Sequence, residues 1–214
     1  MVTSYGNPDA STVLIQLADN HDLDGIESEI AELRRLTDTD FHLIALKVRD
    51  WNRDLSPWPA PAVFGNEDFG DGAADTLEQV LEYCTDSERN YIIGGYSLAG
   101  LFALWASYQT DVFSGAAAAS PSVWFPKFDD YMREHTIRVG TVYLSLGDRE
   151  EKTRNPVMAT VGARIRAAHE LLRSQGVNTI LEWSKGGHFK EPDIRTAQAF
   201  AWVMRNRPHP RSIP

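Results

Sequence analysis

Gly94-Gly95-Tyr96-Ser97-Leu98-Ala99-Gly100 sets a serine among small residues, directly after the β-rich run Tyr91-Ile92-Ile93 and directly before an apolar helical run that starts at Leu98. A serine at a tight strand-to-helix turn is held in a strained backbone conformation, with its Oγ raised above the sheet and free to act as a nucleophile. Strand and helix pass close together at such a turn, which requires small side chains two positions either side of the serine; Gly95 and Ala99 meet that requirement. The helix start also aims the Leu98 backbone N–H at the reacting carbon, which supplies one oxyanion donor. A phosphate-binding loop is excluded, because no Lys-Ser or Lys-Thr follows the glycines.

A serine nucleophile needs a base, and the base needs an orienting acid. Six histidines are available. His42 falls inside a strand pattern, His169 on a helix, His135 among charged residues, His209 in the C-terminal tail, and His21 in the loop after the first strand. His188 follows the last strand in Lys185-Gly186-Gly187-His188-Phe189, where two glycines allow the loop to fold back over the sheet edge. It is the expected base. Three carboxylates compete for the acid in Leu146-Gly147-Asp148-Arg149-Glu150-Glu151: Asp148, close to the strand and able instead to cap a turn; Glu150, further into the loop; and Glu151, which a solvated surface accounts for.

The surrounding elements must bring these loops together. Six apolar strand runs alternate with helical patterns: Thr12 to Leu17, Phe41 to Val48, Asn90 to Gly94, Phe113 to Ala119, Val139 to Leu146 and Val177 to Trp183. Leu23, Ile26, Ile30, Leu33 and Leu36 fall on one helix face. The run from Leu98 to Tyr108 is apolar nearly all round, so this helix should be buried. Near-continuous apolar strands with right-handed crossovers imply an α/β fold, a three-layer α/β/α sandwich on a mostly parallel sheet of about six strands, in a single domain spanning 1–214 with a disordered tail at 207–214. Two segments interrupt the alternation, 49–73 and 120–126, and both belong at the carboxyl edge of the sheet, where open α/β sheets bind ligands. Within them and the elbow, Tyr96, Trp51, Trp58 and Trp124 are the candidate walls of a substrate pocket; plain packing is the other reading of the tryptophans.

The chain has 214 residues, 43% of them hydrophobic and 24% charged, with a formal net charge of −9, which argues against a nucleic-acid surface. Its single cysteine, Cys84, allows no internal disulfide and fits a reducing compartment. No signal peptide and no apolar run of about 18 residues is visible, so a cytoplasmic protein with no membrane or nucleic-acid partner is expected. Asp19-Asn20-His21-Asp22 reads as a polar loop with a helix N-cap rather than a metal cluster, and 67–78 fails as a calcium loop because Phe69 occupies a ligand position. Neither metal nor cofactor is expected.

At Gly95-Tyr96-Ser97-Leu98-Ala99-Gly100-Leu101, Ser120-Pro121-Ser122-Val123-Trp124, Gly147-Asp148-Arg149-Glu150 and Gly186-Gly187-His188-Phe189 the chain resembles the esterase family of α/β hydrolases that includes S-formylglutathione hydrolase (esterase D) and the enterochelin esterases. The resemblance spans about residues 10–205, nearly the whole chain. It implies a minimal α/β-hydrolase fold and a serine esterase acting on a small carboxylic ester or thioester, with Ser97 as nucleophile, His188 as base and, from the family's Gly-x-x-acid spacing, Glu150 as acid, with Asp148 as the alternative. It also implies a second oxyanion donor in the loop after the first strand, assigned here to the Asn20 backbone N–H. Two departures stand out. Alanine occupies position 99, where the family usually has glycine, and the chain lacks counterparts of the first two strands of longer relatives, so substrate specificity does not carry over. An acyltransferase on the same residues, or a binding protein on a hydrolase scaffold, are the competing functions.

Overall fold

Long apolar runs at 12–18, 90–96, 113–119 and 141–147 are buried on both faces, and they become the centre of a seven-stranded sheet. In the computed structural model, which describes residues 1–207, the strands are β1 (Val2–Gly6), β2 (Thr12–Ala18), β3 (His42–Lys47), β4 (Asn90–Tyr96), β5 (Phe113–Ala119), β6 (Thr141–Gly147) and β7 (Asn178–Ser184). Their order is β1-β3-β2-β4-β5-β6-β7. All neighbours pair in parallel except β1 with β3, which is antiparallel. The six expected strands are all present. The seventh, β1, is an edge strand of alternating half-buried and exposed residues, too short and too polar to stand out as an apolar run.

Helices α1 (Asn20–Asp24), α2 (Ile26–Leu36), α3 (Trp51–Asp54), α4 (Ala73–Leu81), α5 (Leu98–Gln109), α6 (Phe128–Glu134), α7 (Val161–Ser174) and α8 (Pro192–Asn206) complete the chain. On one face of the sheet, α4, α5, α6 and α7 cover the side chains of Val13, Ile15, Ile93, Ala116 and Leu144; on the other, α2 and α8 cover Leu14, Ile92, Ala117 and Tyr143. This alternation of neighbouring residues between two cores is the period of two of a strand, and it gives the expected three-layer α/β sandwich. Every residue of α5 from Leu98 to Tyr108 is buried. The small residues of β4 and β5 have a packing cause: a Cβ at Gly94 would lie 2.6 Å from the Phe200 ring, and one at Gly115 would lie 2.5 Å from Val203, so α8 can sit against the sheet only if these positions stay bare.

The face from Leu23 to Leu36 is divided at Gly25 into α1 and α2. Asp19 caps α1 as expected, in a reciprocal pair with Asp22. The segment 49–73 is ordered by α3, by a bridge between Ala60 and Phe69, and by its aromatics. The C-terminal segment expected to be disordered, with His209 in it, lies outside the described residues except for Arg207, whose Nη2 donates to Thr12 Oγ1 at 2.8 Å. Among the described residues no helix is long and apolar enough to cross a membrane.

Candidate active site

Ser97 joins β4 to α5 with φ 58° and ψ −119°, a region that L-residues rarely occupy. The turn is pinned from several sides: Ser97 N donates to Ala119 O at 3.1 Å, and its carbonyl accepts from Leu101 N and Ser122 N, both at 3.0 Å. The unusual alanine sits at the tightest point. A Cβ at Gly95 would lie 2.6 Å from the Ala99 methyl, so the elbow tolerates alanine at 99 because 95 is glycine.

His188 stands in the loop after β7, and that loop is tied back to the loop after β6. Asp148 Oδ1 accepts from Gly186 N at 2.8 Å, Asp148 N donates to Ser184 O at 2.8 Å, and Arg149 N donates to Gly186 O at 3.1 Å. A Cβ on Gly147 would lie 2.4 Å from Gly186 O, and Gly186 itself has φ +119°, so both glycines are needed for this approach. The result brings three distant side chains into line. His188 Nε2 is 3.0 Å from Ser97 Oγ, and Nδ1 is 2.7 Å from Glu150 Oε2. An ionised carboxylate can only accept, so Nδ1 carries the proton and Nε2 is left to accept from the serine hydroxyl.

Glu150 begins the 3₁₀ turn Glu150–Lys152. Its Oε1 accepts from Gly147 N and Ser120 Oγ, each at 2.7 Å, and from Arg195 Nη2 at 2.8 Å. Burial pushes the carboxyl up, but the hydrogen bonds and charges of His188, Ser120 and Arg195 outweigh it and hold the group at about 2. Asp148 serves as the clamp on Gly186, and Glu151 turns outward to Arg166 at 3.2 Å; neither contacts the imidazole.

Three neighbours were not singled out from the sequence as site residues. Arg195, on α8 and 4% exposed, donates through Nη1 to Tyr96 Oη at 2.5 Å and through Nη2 to Ser120 Oγ. Ser120 has φ 41° at the end of β5. Ser122 Oγ lies 3.3 Å from Ser97 Oγ. The sequence did carry a signal for Arg195: it shares the buried face of α8 with Ala199 and Val203, where an arginine must have a specific partner.

Leu98 and Asn20 each open a helix, so neither backbone N–H has an intrahelical acceptor. Because Gln16 pairs with Gly94, extending that parallel register past both strand ends sets Asp19 beside Ser97 and Asn20 beside Leu98. Trp51 lines a cavity of about 450 Å³ together with Asn20 and Arg49. The other expected pocket walls need correction. Trp58 donates its indole N–H to Pro126 O at 2.9 Å and packs on Phe125, Phe128 and Tyr131. Trp124 is 5% exposed and packs on Phe64 and Phe69. Both are structural aromatics that weld the 49–73 segment to the 120–126 segment. Tyr96 is also buried; its hydroxyl donates to His188 O at 2.6 Å, so it holds the histidine loop instead of facing an open pocket.

No family model matches the chain, and no curated protein matches it. Solved structures do. An IroE-like serine hydrolase from Shewanella oneidensis is similar with a TM-score of 0.76 at 14% identity, over 95% of this chain and 75% of that one. A siderophore hydrolase, EstB, from Aspergillus nidulans gives 0.64 at 16% identity, over 99% and 91%. The enterobactin esterase from Shigella flexneri gives 0.65 at 13% identity; it is matched over 95% of this chain but only 55% of its own length. The mostly parallel sheet, its elbow between β4 and α5 and its two covering layers of helices are thus those of the α/β-hydrolase fold, shared here with esterase-type serine hydrolases.

Proposed function

We propose that this chain is a serine hydrolase that cleaves a carboxylic ester or thioester through an acyl-enzyme. The observation that carries the proposal is the unbroken line Ser97 Oγ–His188 Nε2, 3.0 Å, and His188 Nδ1–Glu150 Oε2, 2.7 Å, at a strained strand-to-helix turn. As Ser97 Oγ attacks the carbonyl carbon, its proton passes to His188 Nε2, and Glu150, ionised throughout, stabilises the imidazolium. Negative charge collects on the carbonyl oxygen, where the N–H groups of Leu98 and Asn20 receive it. The imidazolium then protonates the departing alcohol or thiol. Water, activated by the same nitrogen, attacks the acyl-Ser97 ester and releases the acid. Every step runs through side chains and backbone of this chain. The names of the structural neighbours, serine hydrolase and esterase, support the same reaction class.

The test is turnover of p-nitrophenyl acetate together with labelling by a fluorophosphonate, mapped to Ser97 and absent in Ser97→Ala. A folded protein with neither activity would be a binding module on this scaffold. Ester product formed preferentially from an added alcohol would make it an acyltransferase.

A further inference from the structure

Phe189, the residue after His188, lines a cavity of about 350 Å³ between the start of α1 and α2 and the start of α8. Five carboxylates line it, Asp22, Asp24, Glu29, Glu191 and Asp193, together with His21, and among the described residues no lysine or arginine does. Lys190 Nζ lies 3.9 Å from the exposed Glu191 carboxylate. Glu29 is the informative member. It is 2% exposed, its Oε2 accepts from Gln16 Nε2 at 3.0 Å, and among the described residues its Oε1 has no partner at all. A buried carboxylate oxygen without a donor is costly unless something supplies one.

The rim of this cavity is Phe189, next in sequence to His188, 89% exposed, with its ring centroid 5.2 Å from the imidazole. An aromatic face beside carboxylates favours an organic cation. Among the described residues no three His, Cys, Asp or Glu side chains converge closely enough to hold a metal ion. In an acyl transfer at Ser97 the histidine faces the leaving oxygen, and Phe189 touches both that imidazole and this cavity, which assigns the cavity to the alcohol side of the scissile bond.

Building on the hydrolase reading above, we propose that this cavity is a leaving-group subsite for a protonated amine, making esters of amino alcohols the preferred substrates. The ammonium N–H donates to Glu29 Oε1, its alkyl groups rest on Phe189, and Asp22 and Asp193 supply the surrounding negative potential. Burial, reinforced by Asp22 and Asp193 and only partly offset by the Gln16 hydrogen bond, pushes the Glu29 carboxyl up to about 8, so on its own it is protonated at neutral pH. Entry of the cation reverses this and releases a proton from Glu29 to solvent.

Two acetates of nearly equal shape test the idea at pH 7: 2-(dimethylamino)ethyl acetate, which carries an N–H⁺, and 3-methylbutyl acetate, which is neutral. Each kcat/KM is divided by the ester's own hydroxide-catalysed rate. The cationic ester should be favoured by about tenfold or more, the size of one charge-assisted hydrogen bond, and the preference should fall toward unity in Glu29→Gln and in Asp193→Asn. Turnover of both esters without preference overturns the subsite and leaves the hydrolase reading intact. If neither ester is cleaved, p-nitrophenyl acetate turnover and fluorophosphonate labelling decide the hydrolase reading, and equilibrium titration decides the cavity. In that case 2-(dimethylamino)ethanol should bind about tenfold more tightly than 3-methylbutanol and release protons, and equal binding overturns the proposal.

Discussion

Arg195 Nη2 lies 2.8 Å from Oε1 of Glu150, the oxygen opposite the one that meets His188, and the two side chains are 4% and 5% exposed. The same guanidinium holds Tyr96 Oη, and Tyr96 holds the His188 carbonyl. The chain of contacts therefore closes on itself, fixing the imidazole from its ring and from its backbone. Arg195→Met should leave Glu150 buried with the imidazolium as its sole charge partner, which favours the protonated base. The acid limb of the pH profile for kcat/KM should move to higher pH, and stability should fall by about 3–5 kcal/mol, the usual loss when one member of a buried pair is removed. A variant with lowered stability but an unmoved acid limb would reduce Arg195 to a purely structural role.

The backbone at Ser97 stores strain that glycine does not feel. Ser97→Gly should raise stability by about 1 kcal/mol, within the range assigned to one residue in a sparsely populated conformation, while eliminating ester turnover. Ser97→Ala should eliminate turnover too but keep the wild-type melting temperature, since alanine at φ 58° is as strained as serine. Thermal melts beside p-nitrophenyl acetate assays separate the two effects. If the glycine variant melts no higher than the alanine variant, the turn is not strained.

Much of this was written locally in the sequence. Buried parallel strands appear as apolar runs and the elbow as a serine among small residues, because both are set by near neighbours along the chain. What escaped depends on distant packing. The tryptophans at 58 and 124 sit on the loops that border the site, but a pocket wall and a packed aromatic have the same local pattern; only the stacking of 49–73 on 120–126 distinguishes them. The helical spacing of Arg195 with Ala199 and Val203 marks it as buried, but its partners Ser120 and Glu150 come from distant loops that only the folded sheet brings against it. The edge strand β1 owes its existence to pairing with β3 rather than to an apolar face.

Glu150→Gln should lower kcat by about a hundredfold or more, in keeping with the loss of a partner that orients and stabilises a general base. Asp148→Asn keeps an oxygen for Gly186 N, so its rate should change less than tenfold and its stability by about 1 kcal/mol. Stability against acid should differ as well. Glu150 is held at about 2, below the ordinary value of 4.5, so its contribution is complete above pH 4.5 and fades as pH falls toward 2. Glu150→Gln should lack that component of acid denaturation. The reverse rate ordering would transfer the acid role to Asp148.

Gly95 and Ala99 form a complementary pair. Gly95→Ala would place two methyl carbons 2.6 Å apart in a buried turn, and overpacking of this kind costs about 1–3 kcal/mol. Adding Ala99→Gly removes the nearer clash but leaves the Ala99 carbonyl carbon and Leu17 O, both 3.3 Å from the new methyl, so rescue should be partial. A double-mutant cycle on melting free energies reads this directly: strong coupling is expected, and additivity within a few tenths of a kcal/mol would show that the two positions do not meet.

Glu29 gives the opposite pH signature to Glu150. Its carboxyl is pushed above its ordinary 4.5 to about 8 by burial, with Asp22 on α1 and Asp193 on α8 adding to the effect and the Gln16 amide on β2 opposing it. The protonated form is the one the fold prefers. Its stabilising contribution is therefore complete below pH 4.5 and is lost as pH climbs through 8, because the unfolded chain ionises freely at lower pH. Gln at position 29 retains the shape and the contact with Gln16 but cannot ionise. Denaturant titrations of Glu29→Gln and wild type should nearly coincide at pH 4.5 and diverge as pH rises, with the variant ahead by about 2–4 kcal/mol at pH 8. Curves that stay parallel across that interval would mean Glu29 ionises normally in the folded protein. The cavity would then hold a permanent charge at neutral pH, and cation entry would release no proton.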